Sequence, residues 1–170
     1  MAEPFELKPL SKSAVAAALQ KAEHYRLLNE PRQAESICLD VLRVDAENQK
    51  AIVTLVLALS DQLERRKDMG VRQAREYLGR LSDAYQKAYY EGILCERRAY
   101  TVMKTHRPGS QHTAYNWFRM ALDKYREAEK HKPEGNDEVF LRWNTVVRML
   151  RRHPELQPEP EVPRTEHMLE

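Results

Sequence analysis

The sequence predicts an all-α fold, and three observations carry that prediction. Apolar residues recur at helical spacing, most clearly in one stripe at i, i+3, i+4 and i+7: Ile52, Leu55, Val56 and Leu59. A second set of offsets, i, i+4, i+7 and i+12, occurs twice: at Ala34, Cys38, Val41 and Ala46, and again at Ala121, Tyr125, Ala128 and Pro133. With 32% charged residues, 8% aromatic residues and five glycines in 170 positions, the composition is typical of a helical protein. This length suits one domain with its own core.

The first two helices follow from their end signals. Residues 1–11 are expected to form a flexible leader, and Ser11 or Ser13 can cap a first helix that ends near Leu28. Pro31 is well placed as the first residue of the second helix, because its fixed φ suits that position. The second helix should end at 45–48.

The third helix carries the apolar stripe described above. A polar run follows, and its last residue, Gly70, is expected to form a turn. A fourth helix then carries Ala74, Leu78 and Leu81 at i, i+4 and i+7. The helical part of the chain is expected to span 12–152.

A long helical hairpin is expected next, with its turn at 106–109. Small and aromatic residues form a seam on each side of that turn: Tyr85, Ala88, Gly92, Cys95 and Ala99 before it, and Ala114, Trp117, Ala121, Tyr125 and Ala128 after it. A final helix should begin near Asn136 or Asp137. The segment 153–170 is rich in proline and glutamate, and we expect it to be disordered.

These spacings resemble the tetratricopeptide repeat, a helix-turn-helix unit of about 34 residues. Ile52 follows Ala18 by 34 residues, and Val139 follows Ala121 by 18, just as Ile52 follows Ala34. The resemblance implies a tetratricopeptide-repeat-like α-α superhelix. It would have about three helical hairpins, an elongated third hairpin and a C-terminal capping helix.

In the resembling family, the first helices of successive repeats line a concave groove that binds a peptide or a partner helix. The resemblance therefore implies a non-catalytic adaptor or scaffold for protein–protein interaction. The partner-binding residues expected from their flanking positions on those helices are Arg26, Lys50, Tyr89, Ile93, Glu96, Arg97, Tyr100, Asn144 and Arg148. Leu19 and Glu23 stand where the family's chaperone-tail site has lysine and asparagine, which argues against binding a chaperone tail.

One face of the fifth helix leaves two alternatives. Tyr89, Ile93, Glu96 and Tyr100 lie at i, i+4, i+7 and i+11, opposite the core seam. A helix that is apolar on two faces is either fully buried or offers one face to a partner. Because tyrosine is a frequent interface anchor, the partner is slightly favoured. A homodimer through the long third hairpin and a small secretion-type chaperone remain alternatives.

No catalytic, cofactor or metal site is predicted, and the protein is not expected to be an enzyme. Cys38 and Cys95 fall on apolar stripes and are expected to be buried thiols, while His106 and His112 lack the spacing of metal ligands. The net charge of +2 and the lack of interleaved exposed aromatics argue against nucleic acid. No apolar run reaches the roughly 20 residues that a membrane helix needs. A cytoplasmic location is the default expectation.

Overall fold

The computed structural model of the chain describes residues 5–161, and within that range it contains seven α-helices and no strand. The helices are α1 (Val15–Leu27), α2 (Pro31–Val44), α3 (Gln49–Ser60), α4 (Leu63–Leu78), α5 (Ala84–Met103), α6 (Ser110–Glu129) and α7 (Glu138–Arg152). The all-α prediction is therefore confirmed. None of these helices is long and apolar enough to cross a membrane.

The helix starts agree with the sequence signals in part. Pro31 is the first residue of α2, as predicted. Ser11 and Ser13 do not cap α1: their hydroxyl oxygens lie 3.3 Å apart, and a 3₁₀ turn precedes the helix. Clear side-chain caps occur elsewhere. The Asn48 side chain, directly before α3, accepts a hydrogen bond from the backbone N–H of Ala51 at 2.9 Å. The Asp83 side chain, directly before α5, accepts one from the backbone N–H of Gln86 at 2.7 Å.

Gly70 is not a turn residue, which corrects the sequence prediction. It lies inside α4 and is buried, and the irregular backbone comes earlier, at Lys67, with φ 51° and ψ −133°. A Cβ on residue 70 would lie 2.9 Å from both Leu63 Cδ2 and Arg66 Cβ. The glycine therefore lets the turn that follows the kink pack closely against the start of α4.

Each helix packs against the next one in the chain, and the odd-numbered helices also contact one another, α1 with α3, α3 with α5 and α5 with α7. We call these four helices the odd-helix layer. Buried side chains form two clusters, one centred on α1 to α4 and the other on α5 to α7. Tyr90 and Trp117 pack against both clusters, so the core continues through α5 and α6.

The long hairpin is present as predicted. Helices α5 and α6 have 20 residues each, about 30 Å, and the chain turns between Met103 and Ser110. Gly109 adopts φ 80°, a conformation that favours glycine, just before α6 begins. All of the predicted seam residues are buried except Trp117, which is half-buried, and Phe118 is a fully buried residue that the pattern did not include.

The segment after α7 differs from the expectation of disorder over 153–170. Residues 153–161 are described, and Leu156 is only 5% exposed because it packs into the second core cluster. Leu156 and the hydrogen bond between His112 and the backbone oxygen of Gln157 place this stretch against the domain. The rest of the predicted tail, 162–170, and residues 1–4 of the leader lie outside the described residues. Residues 5–9 of the leader are exposed and irregular.

Candidate interaction surface

Two arginines on different helices share one carboxylate in the odd-helix layer. Arg26 Nε of α1 lies 2.8 Å from Asp61 Oδ2, and Arg97 Nη1 of α5 lies 2.6 Å from Asp61 Oδ1. Asp61 is the residue that directly follows α3, so its carboxylate ties three helices together. The three side chains are only 20 to 26% exposed, so solvent screens these ion pairs less than it would screen surface pairs.

Arg97 makes further contacts that fix its guanidinium. Its Nη1 also donates to the backbone oxygen of Leu57 at 3.2 Å and to Ser60 Oγ. Burial lowers the pKa of Arg97, and the positive charges of the nearby Arg26 and Arg142 lower it further. The negative charge of Asp61 raises this pKa and so offsets part of the shift. The ion pairs of this cluster join three guanidinium groups, those of Arg26, Arg97 and Arg142, to two carboxylates, those of Asp61 and Glu96.

Glu96, the residue directly before Arg97 on α5, is a buried carboxylate with only 3% of its surface exposed. Tyr125 Oη of α6 donates a hydrogen bond to Glu96 Oε2 at 2.5 Å, and Arg142 Nη1 of α7 lies 3.5 Å from Oε1. Burial and the charge of Glu96 raise the pKa of Tyr125, so its hydroxyl stays protonated and keeps donating. A buried charge needs such partners, because it has lost its water.

Tyr125→Phe should lower the free energy of unfolding by about 1.5–3 kcal/mol, because it removes a hydrogen bond to a buried charge and leaves the ring in place. Urea denaturation followed by circular dichroism measures the change. Tyr115→Phe is the matched control, because the Tyr115 side chain is half-buried and forms no side-chain hydrogen bond within residues 5–161. Equal stabilities for the two variants would contradict a structural role for the Tyr125–Glu96 bond.

The predicted aromatic face is largely inside the monomer. Tyr89 is 8% exposed and Ile93 is 3% exposed. The Tyr89 ring stacks on Tyr85 with centroids 5.5 Å apart and meets Tyr90 edge-on at 5.2 Å. Tyr100 is half-buried and meets the edge of Phe118 at 5.2 Å.

This face was expected either to be fully buried or to be open to a partner. Tyr89, Ile93 and Glu96 are buried within the monomer. The slight preference for an open partner surface is corrected for these three residues. The physical reason is the position of α5, which is in contact with α3, α4, α6 and α7 and so has little free surface at its middle.

Three further predicted residues, Lys50, Asn144 and Arg148, are exposed, whereas Arg26 and Arg97 are half-buried. Lys50 Nζ lies 3.3 Å from Glu23 Oε1 on α1, and both side chains are about half exposed. Asn144 and Arg148 lie one turn apart on α7 and are exposed. Of the nine predicted residues, the structure brings Arg26, Glu96 and Arg97 into the charged cluster; Lys50, Asn144 and Arg148 take no part in its hydrogen bonds or ion pairs within the described residues.

The sequence prediction omitted two charged members of this cluster, Asp61 and Arg142. One signal was available for Asp61. Arg97 has no carboxylate three or four residues away on its own helix, where a local ion pair would form, so a carboxylate partner of Arg97 would lie outside α5. Asp61 directly follows the most apolar helix of the chain. Nothing in the spacing pointed to Arg142.

The thiols are poorly suited to chemistry. Cys38 and Cys95 are both buried, as predicted, and burial raises the pKa of Cys38 to about 12 and that of Cys95 to about 11. Because the thiolate is the nucleophile, both groups are largely unreactive at neutral pH. Within residues 5–161, no group of three or more histidine, cysteine, aspartate or glutamate side chains could hold a metal ion.

Comparison with known proteins found no match for this chain among the protein-family models, the curated proteins or the solved structures.

Proposed function

We propose that this protein is a non-catalytic interaction module with a tetratricopeptide-repeat-like arrangement, which binds a peptide or helix of another protein across its odd-helix layer. The contact pattern supports this arrangement. Each helix packs on its chain neighbour, and the odd helices contact one another, as in repeat arrays whose units touch only their neighbours. In such an array, α7 is the first helix of a further unit that has no second helix within the described residues.

The observation that carries the proposal is the Arg26–Asp61–Arg97 bridge. It holds two arginines in fixed positions on different helices, with about a quarter or less of each side chain exposed. Arginine is a frequent anchor at interfaces. A side chain that is already fixed also loses little conformational entropy when it binds. The bridge therefore offers donors whose geometry is set before a partner arrives.

The charges of this layer indicate what a partner would supply. The cluster has three guanidinium groups for two carboxylates, and Arg148 adds an exposed positive charge on α7. Asn144, one turn before Arg148, can both donate and accept hydrogen bonds. A bound segment would contribute backbone carbonyls or side-chain carboxylates as acceptors.

A quantitative crosslinking pull-down from native lysate tests the proposal. Asn144→Ala/Arg148→Ala alters exposed residues of the odd-helix layer, and Arg32→Ala/Arg43→Ala alters exposed residues of α2 as the matched control. We expect at least one crosslinked protein to fall about 10-fold or more with the α7 variant and to be retained with the α2 variant. Identical sets of captured proteins from both variants would contradict binding through the odd-helix layer.

The homodimer alternative predicts a different result. It would use the face of α5 in the long hairpin, but Tyr89 and Ile93 on that face are already buried within one chain. Sedimentation at micromolar concentration separates the two proposals, because an adaptor should remain monomeric without its partner. A stable dimer would favour self-assembly. A small secretion-type chaperone would instead be shown by an extended substrate segment among the crosslinked peptides.

A further inference from the structure

The segment that follows α7 crosses the turn of the long hairpin. We call residues 153–161 the strap and residues 103–113 the tip. Leu156 is the strap's apolar anchor. It is 5% exposed and lines, together with Met103, Ser110 and other tip residues, a cavity of about 350 Å³. The cavity is open space beside Leu156, whose side chain packs into the second core cluster together with Met103. We call the apolar surface that Leu156 covers at the tip its seat.

The strap is held by few polar contacts. His112 Nδ1 lies 2.8 Å from the backbone oxygen of Gln157, and because a carbonyl can only accept, the proton is on Nδ1. The Gln157 side chain donates to the backbone oxygen of Pro154 at 2.6 Å, which fixes the strap's shape without linking it to the tip. The prolines at 154, 158 and 160 lack an N–H, so the strap cannot pair as a regular strand.

The charges of strap and tip have opposite sign. The strap carries Glu155, Glu159 and Glu161, and the tip carries Lys104 and Arg107. Glu159 lines a cleft of about 410 Å³ that is also lined by Arg107 and Arg98. This cleft lies beside the seat of Leu156, because Arg107 and Ser110 line both cavities. Glu155 pairs with His153 inside the strap and Lys104 pairs with Glu64, so strap and tip are matched by the sign of their net charge and not by direct ion pairs.

The strap can detach from the tip at a modest cost in free energy. Burial of one leucine side chain favours the closed form by roughly 10- to 100-fold. Exposed ion pairs add little, because water and salt screen them. Opening exposes an apolar seat beside a basic cleft, and the strap itself shows which ligand fits there.

We propose that the tip is a docking site for an extended acidic segment of another protein, with one leucine anchor flanked by prolines, and that the strap is its displaceable cover. This site lies at one end of the long hairpin and does not depend on the function proposed for the odd-helix layer. A partner segment gains access when it competes with the strap for the seat of Leu156.

A labelled peptide with the strap sequence HPELQPEPE tests the proposal by fluorescence polarisation with the full chain. Leu156→Ser should release the strap and bind the peptide 10- to 100-fold more tightly than the wild type does. Leu141→Ser is the matched control, because Leu141 is a leucine of α7 that is 67% exposed. It should bind like the wild type. A peptide with serine in place of its leucine should not bind, and adding Arg107→Glu to Leu156→Ser should weaken binding several-fold.

Equal peptide binding by the wild type and a folded Leu156→Ser variant would overturn the proposal, as would binding that does not need the peptide's leucine. If circular dichroism shows that Leu156→Ser does not fold, the proposal is tested on the wild-type protein by hydrogen exchange. Excess peptide should then speed hydrogen exchange at the Leu156 amide, which bonds to the His153 oxygen at 2.9 Å inside the strap. An unchanged exchange rate at this amide would also overturn the proposal. A concentration-dependent dimer that binds no peptide would overturn it too, because the seat of Leu156 would then belong to the strap of a second copy.

Discussion

Replacement of Gly92 by alanine should destabilise the protein by about 2 kcal/mol, and replacement by leucine by about 3 kcal/mol or more. A Cβ on residue 92 would lie 2.4 Å from Tyr125 Cε1 and 2.5 Å from Cδ1. The Tyr125 ring is fully buried and its hydroxyl is bound to Glu96, so the ring cannot move aside without breaking that bond. The clash outweighs the gain in helix propensity from glycine to alanine, which is about 1 kcal/mol.

Urea denaturation of Gly92→Ala beside Gly79→Ala measures this effect. Gly79 is the matched control because it has helical dihedrals, φ −59° and ψ −21°, and a Cβ there would lie 3.4 Å from the Glu76 oxygen, at ordinary contact distance. Gly79→Ala should be neutral or stabilising by up to about 1 kcal/mol. A Gly92→Ala variant as stable as Gly79→Ala would show that α5 and α6 do not pack this closely.

Tyr89→Ala should lower the free energy of unfolding by about 3–5 kcal/mol, the usual cost of deleting a buried aromatic ring. Tyr89 is 8% exposed and its ring stacks on that of Tyr85. The centroids of the Tyr89 and Tyr125 rings lie 6.2 Å apart. The deletion would leave a cavity between α5 and α6 and remove these ring contacts. A thermal melt is sufficient to measure the loss.

Tyr77→Ala serves as the control for that melt, because the Tyr77 side chain is half-buried at the edge of the first cluster. Its effect should be clearly smaller. A change of less than about 0.5 kcal/mol for Tyr89→Ala would instead be typical of a surface position. That result would return Tyr89 to the set of residues available to a partner.

The elements that the sequence predicted best are those fixed by local signals. Pro31 begins α2 because its φ suits the first turn of a helix, and Gly109 ends the long turn with a positive φ. The turn glycine proposed at Gly70 was wrong, because a glycine in a polar run also suits close packing, and only the contact with Leu63 distinguishes the two. Local sequence does not contain that contact.

The candidate site was predictable only in part. Arg26 and Arg97 were recognised as residues beside the core seam, and both do belong to the charged cluster. Their shared partner Asp61 lies 35 and 36 residues away from them in the sequence, so helical spacing could not pair them. The burial of Tyr89 was equally open, because an apolar face on α5 has the same pattern whether another helix or a partner covers it.

The sequence by itself determined the helices, the long hairpin and the buried cysteines, because side-chain periodicity and the backbone preferences of proline and glycine act over a few residues. The tertiary structure alone decided which charges meet, which face of α5 is covered and that Leu156 packs against the second cluster. These depend on side chains that are distant in sequence and are brought together only when the helices pack. Asp61, Tyr89 and Leu156 acquire their roles through such contacts.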